Sequence, residues 1–331
     1  MRVSYEELVD VLGRALMKQG MDAARADRCA RLFADTDRDG INSHGVNRFP
    51  RLMRMIRSGV VDVHAEAVPV DRRHALERWD GRRGLGNLNA LGCMDRAIAL
   101  SGTHGIGCVA LANTNHWMRG GTYGWQAADA GVIGICWTNT LPNMPPWGTS
   151  EPRLGNNPLI VAIPRPPAHV VLDMAMSQFS VGGLASYRMR GERLPVPGGY
   201  DAQGRLSHDP AALEESKRLL PIGFWKGSGL SLVLDMAAAL LSGGHATFQI
   251  PQIPERETGL SQAFIAVRLP SDPAASSRLV DQIIEYTQQE SPTGERARYP
   301  GERTLQTRTR NLAEGIPVDP SVWKDVTSFA G

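Results

Sequence analysis

Two short apolar runs joined by a proline-rich turn place the strongest constraint on the fold of this 331-residue chain. Residues 158–163 and 170–173 both have the apolar composition of buried strands, and Pro164, Pro166 and Pro167 lie between them. Because a parallel crossover needs a dozen or more residues, these two strands must pair in antiparallel fashion. We therefore predict a mixed sheet.

From about residue 71 onward, β-rich runs alternate with helical windows, which is typical of an α/β layer structure. The strands are predicted at 106–111, 132–137, 158–163, 170–173 and 263–267, and the helices at 87–101, 122–130, 177–190, 228–241 and 274–289. Residues 4–20 and the stretch from Asp22 read as two further helices, with Ser4 and Glu7 forming a capping box. The tail 302–313 is also helical. We predict a discontinuous helical domain from 1–70 and 290–331, and a mixed-sheet domain from 71–289.

Composition and charge exclude several classes of protein. The chain has 36 Lys and Arg against 34 Asp and Glu, so 36 − 34 leaves a net charge of +2, whereas nucleic-acid and membrane-surface binders usually have a strong basic excess. No apolar run approaches the ~18–20 residues that span a bilayer. Glu6, Glu7 and Asp10 interrupt any export signal, so we expect a cytoplasmic protein. The four cysteines form no CxxC pair and are expected to be buried thiols.

Several common catalytic motifs are missing from the sequence. The nearest match to the GxGxxG fingerprint, at 84–89, lacks the third glycine, and no Walker A, HExxH or GxSxG motif occurs. We therefore expect neither a Rossmann unit nor a metal site. The segment 225–229 is a glycine-rich helix start, where free N–H groups favour an anion such as pyrophosphate, although an ordinary helix cap is the more frequent interpretation.

A histidine and two arginines lie close together in the segment 42–51. At 100° per residue, His44, Arg48 and Arg51 fall on one face of a helix, and the opposite face is apolar and should be buried: Val46, Phe49, Met53 and Ile56. An arginine can clamp a carboxylate while a histidine moves a proton, so this segment is a candidate site for an acid substrate. A solvated polar face is the alternative. Pro50 either kinks this helix or delays its start.

A second histidine, His116, follows the strand predicted at 106–111, in a loop crowded with hydrogen-bonding side chains. Active residues favour loops at strand ends, but a capped turn before the next helix explains the same residues equally well. Four tryptophans of this region either wall a cofactor pocket or form core, and core is the more frequent role: Trp117, Trp125, Trp137 and Trp147.

Long ordered strings of the sequence resemble the malate/L-lactate dehydrogenase family, which lacks a Rossmann fold. The matching strings are SHGVNRFPRL at 43–52, NHWMRGGTYGWQAADAG at 115–131, IGICWTN at 133–139, MPPWG at 144–148, NPLIVAIP at 157–164 and FWKGSGLSLVLDM at 224–236. Shorter matches at 300–302 and 322–323 extend the resemblance over nearly the whole chain. Within the family, the strings are most similar to those of the 2,3-diketo-L-gulonate reductases.

The resemblance implies a fold and an activity. The fold would be a three-layer α/β/α structure around a mixed sheet of about seven strands, with a smaller helical domain from the N- and C-terminal segments. The protein would be a homodimeric oxidoreductase that binds NAD without the glycine fingerprint. Its implied reaction is reduction of the 2-keto group of 2,3-diketo-L-gulonate to 3-dehydro-L-gulonate, or the reverse oxidation.

The resemblance also implies roles for individual residues. His44 would donate a proton to the carbonyl oxygen, Arg48 would hold the substrate carboxylate, and His116 would line the pocket or take the acid/base role itself. Contacts to NAD are implied at three segments: His169, Val170, Val171, Leu172, Asp173, Met174 and Ala175; Trp225 and Lys226; and Gly301, Glu302 and Arg303. The loop 164–173 is slightly longer than in the reductases, which can shift the first segment by one position. Thr140 stands where several members carry a lysine, which argues against a lysine-assisted mechanism.

Other functions stay open at this point. The same chemistry on malate, lactate, ureidoglycolate or a cyclic imine carboxylate is the nearest alternative. NADP is possible, because the chain lacks the acidic ribose-binding residue of a Rossmann unit. A cofactor-free sugar-acid lyase or isomerase, with His44 and His116 as its acid/base pair, belongs to a different class. A sugar-acid binding protein without catalytic activity is a further one.

Overall fold

The structure is a computed structural model that describes residues 1–251, 257–270, 272–292 and 294–331. In chain order the strands of these residues are β1 (Arg2–Val3), β2 (Val68–Arg73), β3 (Leu76–Asp80), β4 (Ile106–Asn115), β5 (Val132–Thr138), β6 (Pro142–Met144), β7 (Leu154–Gly155), β8 (Leu159–Ile163), β9 (Val170–Met174), β10 (Gly199–Tyr200), β11 (Leu206–Ser207), β12 (Arg218–Leu219), β13 (Thr258–Arg268) and β14 (Ile316–Pro317). The α-helices are α1 (Tyr5–Met17), α2 (Ala23–Arg38), α3 (Phe49–Arg57), α4 (Gly86–His104), α5 (Gly121–Asp129), α6 (Val181–Met189), α7 (Pro210–Ser216), α8 (Trp225–Ser242), α9 (Pro273–Thr287), α10 (Glu302–Glu314) and α11 (Pro320–Ala330).

A mixed seven-stranded sheet organises the larger part of the chain. Its strands follow the order β2-β3-β4-β13-β5-β8-β9. Strands β3 and β4 run parallel, and every other neighbouring pair is antiparallel. Leu159 lies opposite Met174 and Ile163 opposite Val170, so the antiparallel pairing of β8 with β9 predicted from the proline-rich turn is confirmed.

Helices cover both faces of this sheet and complete the predicted three-layer α/β/α fold. Helices α4 and α5 pack on one face, around a core that contains Trp117, Tyr123 and Phe264. Helix α8 packs on the other face, against residues such as Trp137 and Met176. Apolar side chains are buried on both faces of the sheet, as a three-layer structure requires.

The N-terminal and C-terminal segments share a separate apolar core. Side chains from α1, α2, α3 and α11 form it, including Leu12, Phe33, Phe49 and Trp323. The predicted capping of α1 is confirmed, because Ser4 Oγ accepts a hydrogen bond from the N–H of Glu7 at 3.1 Å. The domain boundaries at residues 70 and 290 stay a prediction.

A small unit between β9 and α8 was not predicted. Strands β10, β11 and β12 form a three-stranded sheet, and α6 and α7 pack together over a core of leucines: Leu184, Leu194, Leu213 and Leu219. The helix predicted at 177–190 begins later, at Val181, because Ser177 bridges to Pro221 and Ser180 caps the helix. Strands of two residues have no readable periodicity, which explains why the sequence did not reveal them.

The hairpin of β2 and β3 was also missed. Its sequences, VPVDRR and LERWD, are rich in charge, and most of their side chains are at least partly exposed. Such charged strands are typical of sheet edges, and they lack the apolar signal by which strands are recognised. As expected, Cys29, Cys93 and Cys136 are buried free thiols, and Cys108 is partly buried. Among the described residues, no helix combines the length and the apolar character that crossing a membrane requires.

Candidate active site

The segment around His44 is not the single helix that the periodicity predicted. Residues Asn42–His44 and Val46–Arg48 form two short 3-10 turns, and α3 begins only at Phe49. Gly45, whose φ of −95° and ψ of −133° are not helical, separates the turns. Pro50 lies in the first turn of α3, where its missing N–H costs nothing. The burial pattern is nevertheless correct for the apolar side, because Val46, Phe49 and Met53 are buried.

A buried carboxyl group anchors this segment, which we call the His44 turn (residues 42–48). Oδ2 of Asp37, at the end of α2, accepts a hydrogen bond from the N–H of Val46 at 2.6 Å. The carboxyl group lies so close to Gly45 that a Cβ there would be 2.0 Å from Oδ2, so a side chain at this position is excluded. Burial raises the pKa of Asp37 to about 8, and its Oδ1 has no hydrogen-bond partner in the part of the chain that the structure describes.

His116 is held by a second segment, the His116 turn (residues 116–120), which follows β4. The backbone N–H of Met118 donates to Nδ1 of His116 at 3.0 Å, and Met118 itself has a left-handed φ of 64°. A backbone N–H is always a donor, so Nδ1 of His116 must be unprotonated. The single ring proton of this histidine is therefore on Nε2.

The structure brings His44 and His116 together, as the sequence interpretation required. Their rings stack with centroids 5.9 Å apart and an angle of 24° between the planes. Burial, Arg48 and Arg119 lower the pKa of His44 to about 4, and burial, Arg48, His44 and Arg51 hold the pKa of His116 well below its ordinary value. Both rings are therefore neutral near pH 7 when no ligand is bound.

Arg48 and Arg51 share one acidic partner. Nη2 of Arg51 lies 3.0 Å from Oε2 of Glu257, and Nη2 of Arg48 lies 3.6 Å from the same oxygen. Glu257 directly precedes β13 and is 4% exposed. Burial and the neighbouring Arg51 lower the pKa of Arg48 to about 10, so its guanidinium is still charged at neutral pH. The longer contact leaves Arg48 the looser of the two and the better placed to bind an anion.

Arg119 connects the His116 turn to the end of α2. Its Nη1 lies 2.6 Å from Oδ2 of the buried Asp39, which Arg308 of α10 also contacts through both oxygens at 2.8 Å. Arg38 completes the cluster at 3.0 Å. These three guanidinium groups outweigh the effect of burial and lower the pKa of Asp39 to about 2. Asp39 is thus a fixed anion that ties three parts of the chain together.

The implied cofactor segment 169–175 is the edge strand β9 with its two flanking residues. Oδ2 of Asp173 accepts a hydrogen bond from the N–H of Gly121 at 2.8 Å, at the start of α5. The Asp173 side chain is accessible to solvent, yet the surrounding protein raises its pKa, although Arg119 opposes that shift. A group that is accessible and still partly desolvated lies in a cleft. Because Arg119 also acts on His44, this cleft adjoins the histidine pair.

The other two implied segments lie at opposite ends of β9. Near its start, the N–H of Val171 donates to the carbonyl of Pro300 at 2.9 Å, so Gly301, Glu302 and Arg303 follow directly. A Cβ on Gly301, whose φ is 98°, would lie 3.2 Å from the backbone of both His169 and Val171. Past its end, the N–H of Ile222 donates to the carbonyl of Met176 at 2.9 Å, and Trp225 and Lys226 follow. The three segments therefore lie along β9 and beside its two ends.

At two of the implied cofactor segments, groups that could contact a ligand serve the local structure instead. Nδ1 of His169 accepts from the N–H of Arg165 at 2.8 Å, and Nε2 lies 2.9 Å from Asp129, so only the backbone of His169 is open to a ligand. At the helix start 225–229, the N–H groups of Lys226 and Gly227 donate to carbonyls of the preceding loop. This favours the interpretation as an ordinary helix cap over an anion site made by the backbone alone.

Comparison with known proteins identifies the family. The profile of malate/L-lactate dehydrogenases matches residues 3–327. The chain belongs to the malate/L-lactate dehydrogenase family. It is 47% identical over 333 aligned residues to the 2,3-diketo-L-gulonate reductase of Escherichia coli O17:K52:H18, covering 99% of this chain and 100% of that protein. The reductase of Citrobacter koseri is 46% identical over the same shares of both chains.

Solved structures of malate/L-lactate dehydrogenase relatives share the fold. Malate dehydrogenase from Pyrococcus horikoshii OT3 superposes with a TM-score of 0.91 at 28% identity, covering 100% of this chain and 94% of that one. Sulfolactate dehydrogenase from Methanocaldococcus jannaschii has a TM-score of 0.90 at 28% identity, over 99% and 96% of the two chains. The protein is therefore an oxidoreductase of the malate/L-lactate dehydrogenase family, and a dehydrogenase family implies a nicotinamide cofactor.

The residues along β9 fit such a nucleotide. Asp173 offers a carboxylate to ribose hydroxyls, Trp225 is 65% exposed and offers an indole face, and Lys226 is an exposed cation for a phosphate. The described residues contain no cluster of three or more His, Cys, Asp or Glu side chains that could hold a metal ion. Thr140 is buried and bonded to Asn156 at 2.9 Å, so it belongs to a structural network rather than to the cleft.

Sequence reasoning did not find several residues of this site. Asp39, Arg119 and Glu257 were not selected, because their partners are far away in the chain: Arg119 and Asp39 are 80 residues apart, and Arg51 and Glu257 are 206 apart. Asp37 was missed although its partner Val46 is only 9 residues away, because Val46 was predicted to lie on the apolar face of a single helix. Only the sequence ADTDRDG immediately before the His44 turn was a visible signal, since it places three carboxylates at one helix end.

Proposed function

We propose that this protein is an NAD(H)-dependent reductase of 2-keto acids, that 2,3-diketo-L-gulonate is its substrate, and that His44 is the general acid. The product would be 3-dehydro-L-gulonate. One observation carries the assignment of roles: the two stacked histidines have different partners at Nδ1. His44 Nδ1 lies 2.8 Å from the hydroxyl of Ser43, whereas His116 Nδ1 accepts from the backbone of Met118.

These two partners have different consequences for proton transfer. A hydroxyl both donates and accepts, so Ser43 keeps its bond with His44 whether Nδ1 carries a proton or not. His44 can therefore gain and lose a proton without disturbing its surroundings. A proton on Nδ1 of His116 would face the N–H of Met118 and break that bond. His116 is thus a neutral hydrogen-bond donor through Nε2 throughout, and His44 is the residue that gains and loses a proton during the reaction.

Substrate binding would prepare His44 for its role. Arg48 would bind the substrate carboxylate, most strongly through two parallel hydrogen bonds. The bound anion offsets the positive charge of Arg48, which is one of the causes that lower the pKa of His44. The pKa of His44 therefore rises when the substrate binds, so that its ring takes up a proton and can pass it to the substrate's carbonyl oxygen. A nicotinamide nucleotide, when bound, supplies the hydride for the keto carbon.

The substrate assignment rests on the relatives. Proteins that are 46–47% identical over nearly the full length are 2,3-diketo-L-gulonate reductases. More distant structural relatives include a malate dehydrogenase, a sulfolactate dehydrogenase and a delta1-piperideine-2-carboxylate reductase. All of these names describe acids or their imines, which agrees with a cleft that holds Arg48 beside a proton-transfer residue.

We propose NAD rather than NADP as the nucleotide. The implied cofactor segments include two carboxylates, those of Asp173 and Glu302. A carboxylate accepts hydrogen bonds from ribose hydroxyls, whereas it repels a 2′-phosphate. Lys226 and Arg303 would face the pyrophosphate. A KM for NADPH at or below that for NADH would refute this preference.

We further propose that the protein is a homodimer, and we retain the cytoplasm as its predicted location. Helix α8 has an exposed apolar stripe at helical spacing, with Val233 58%, Met236 52% and Leu240 82% exposed. Apolar stripes of this kind mark interaction surfaces. Sedimentation of the protein as a monomer at micromolar concentration would refute the dimer.

The direct test is the initial rate of absorbance loss from NADH with a panel of 2-keto acids, including freshly prepared 2,3-diketo-L-gulonate. We expect this compound to give the highest kcat/KM, and His44→Ala to lose roughly 10²–10⁴-fold in kcat. A higher kcat/KM for another keto acid or imine would overturn only the substrate assignment. If nothing turns over and calorimetry detects no binding of NADH or NADPH, the cofactor-free lyase replaces the reductase.

A further inference from the structure

We propose that Gly182, in the first turn of α6, is a positioning residue for the reaction: its missing side chain lets α6 lie directly against Ser43 and keep the Ser43 hydroxyl on the ring of His44. This inference rests on the proposed function, because it concerns the proton that His44 transfers. The juxtaposition that carries it is the start of α6 against the Ser43 side chain, beside the hydrogen bond between Ser43 and His44.

Gly182 approaches Ser43 more closely than a residue with a side chain could. A Cβ at position 182 would lie 2.3 Å from Cβ of Ser43 and 2.5 Å from its Oγ. The next described atom outside the backbone of α6 is Cα of Ser43, at 3.8 Å. Oγ of Ser43 can rotate away, but its Cβ is fixed by the backbone of the His44 turn. A methyl group at position 182 must therefore displace either the His44 turn or the start of α6.

The bond between Ser43 and His44 joins side chains of consecutive residues, which a regular α-helix does not bring together. Consecutive side chains on such a helix point about 100° apart and do not face each other. The 3-10 turn Asn42–His44 instead places Oγ of Ser43 2.8 Å from Nδ1 of His44. Rotation about the Cα–Cβ bond moves a hydroxyl between three staggered positions, so a neighbour that fills the space beside Ser43 favours the position that reaches Nδ1. The start of α6 fills that space.

Helix α6 is held from its other side, so it can serve as a support for the His44 turn. Leu184 is 1% exposed and belongs to the leucine core of the small unit between β9 and α8. Two residues along a helix turn the side chain by about 200°, so Leu184 and Gly182 lie on opposite faces. Oγ of Ser180 accepts a hydrogen bond from the N–H of Gly183 at 3.0 Å and caps the helix. The small unit thereby connects its own core to the His44 turn.

The position of the Ser43 hydroxyl decides which nitrogen of His44 faces the substrate. With Oγ of Ser43 on Nδ1, it is Nε2 that passes its proton to the substrate's carbonyl oxygen. The remaining proton of the ring is then on Nδ1 and donates to Ser43, as it did before the transfer. A charged donor makes a stronger hydrogen bond than a neutral one. Displacement of the hydroxyl should therefore lower the pKa of His44 in the complex.

Gly182→Ala tests this role in the full-length enzyme, with NADH and the keto acid of highest kcat/KM. We expect kcat to fall roughly 10- to 100-fold, because a displacement of about 1 Å near a reacting group can have that effect. The KM for the keto acid should stay within about threefold, since Arg48 is unchanged. The pKa in the kcat profile should fall by about one unit. Arg48, Arg119 and His116 also act on His44 and stay in place, so this shift reports the displaced hydroxyl.

The double variant Ser43→Gly/Gly182→Ala shows whether the effect passes through Ser43. Ser43→Gly removes the hydroxyl together with the Cβ that the new methyl group would overlap. We expect the double variant and Ser43→Gly to agree in kcat within about threefold, whereas independent effects would multiply. Gly92→Ala is the matched control inside α4, because a Cβ there would meet no atom of the described residues within 4 Å. It should keep the kcat and the pH profile of the wild type.

A folded Gly182→Ala protein with the kcat of the wild type would overturn the inference. A lower kcat with an unmoved pKa would overturn it too, because the role would then be purely structural. If Gly182→Ala does not fold, the two Ser43→Gly proteins decide. A folded double variant with the kcat of Ser43→Gly supports the inference, and an unfolded or slower one overturns it, since the methyl group would then clash elsewhere. Failure of the proposed function would instead appear as absent turnover of every keto acid by the wild type with NADH, or as a His44→Asn variant with the kcat of the wild type.

Discussion

The His44 turn and the His116 turn each carry a histidine followed by an arginine, yet they are fixed in different ways. Both are anchored by an aspartate at the end of α2. Asp37 holds the His44 turn through the backbone N–H of Val46 at 2.6 Å, and Asp39 holds the His116 turn through the guanidinium of Arg119, also at 2.6 Å. The two carboxyl groups are only two residues apart, but their pKa values move in opposite directions, to about 8 and about 2.

This contrast shows that the partner decides the state of a buried carboxyl group. Among the described residues, Asp37 meets one backbone donor and no cation, so burial dominates and keeps its proton on. Asp39 meets three arginines, which keep it ionised. The arginine of the His116 turn is consequently committed to structure, whereas Arg48 of the His44 turn stays available for a ligand. The His44 turn therefore supplies an arginine that can bind a ligand, whereas the arginine of the His116 turn stabilises the fold.

The largest expected difference between the turns is in catalysis. We expect His44→Asn to lower kcat by roughly 10²–10⁴-fold, because the general acid is removed. His116→Asn should lose no more than about tenfold, since an asparagine amide can replace a fixed neutral donor. Steady-state reduction of the preferred keto acid measures both. An equal loss of kcat in the two variants would contradict the proposed division of roles between the histidines. Circular dichroism of both variants controls for folding.

The two arginines should differ in the kind of effect that their loss produces. Arg48→Gln should raise KM by roughly 10- to 100-fold with little change in Tm, since it removes a charged hydrogen bond to the substrate. Arg119→Gln should instead lower stability by about 3 kcal/mol, because a buried ion pair is broken. KM values and urea unfolding curves distinguish the outcomes. A stable Arg119→Gln protein with a raised KM would mean that Arg119, not Arg48, holds the substrate.

The two aspartates should respond to pH with opposite signs. The pKa of Asp37 is raised to about 8. Its contribution to the free energy of unfolding is therefore fully present below pH 4 and is lost as pH rises through 8. Asp37→Asn should therefore raise Tm at pH 8, by roughly 1–2 °C if the gain is about 1 kcal/mol, and not at pH 4. The pKa of Asp39 is lowered to about 2, so its stabilising effect is present above pH 4 and is lost as pH falls through 2. Asp39→Asn should therefore destabilise the protein most at pH 7 and by less at pH 3, where part of the effect is already lost.

Thermal unfolding of the two variants across pH 3–9 checks these signs. Variants that shift Tm in parallel at every pH would show that the two carboxyl groups are in the same protonation state. That result would contradict the described difference between the anchors.

The smallest expected effect concerns the pH dependence of the reaction. For keto-acid reduction, kcat/KM should fall as pH rises above about 4, the pKa of His44 in the free enzyme. The pKa seen in kcat should be higher, because the bound carboxylate offsets the charge of Arg48. Initial rates over pH 5–9 compare the profiles: kcat/KM should fall throughout this range, whereas kcat should level off at its lower end. Identical pKa values in the two profiles would mean that the substrate does not act on His44 through Arg48.

Much of the fold followed from local sequence signals. The hairpin of β8 and β9 was predictable because a short proline-rich turn permits only an antiparallel pair, and α1 was predictable because its cap and its apolar face agree. The single helix over the His44 turn was wrong, because Gly45 has a non-helical ψ of −133° where the carboxyl group of Asp37 approaches it. No periodicity reports such a contact between two segments.

The site was predictable only as far as single residues and family resemblance allow. His44, His116 and Arg48 were identified from their strings, and their assembly in one cleft needed the fold. Asp39 and Glu257 were not predictable because each acts across the fold, and Asp37 was missed because its partner Val46 was predicted to lie within a single helix. Glu257 reaches Arg51 over 206 residues, and Asp39 reaches Arg308 over 269. The difference between the two histidines likewise depends on one backbone N–H, which a sequence does not place.

The most direct measurement is the protonation of both imidazole rings by ¹⁵N NMR of histidine-labelled enzyme, from pH 5 to 9, free and saturated with NADH and oxamate. We expect Nδ1 of His116 to stay unprotonated in every sample, because the N–H of Met118 occupies it. We expect His44 to be neutral in the free enzyme and to take up a proton when the carboxylate analogue binds. A doubly protonated His116 beside an unchanged His44 in the complex would contradict the assignment of His44 as the general acid.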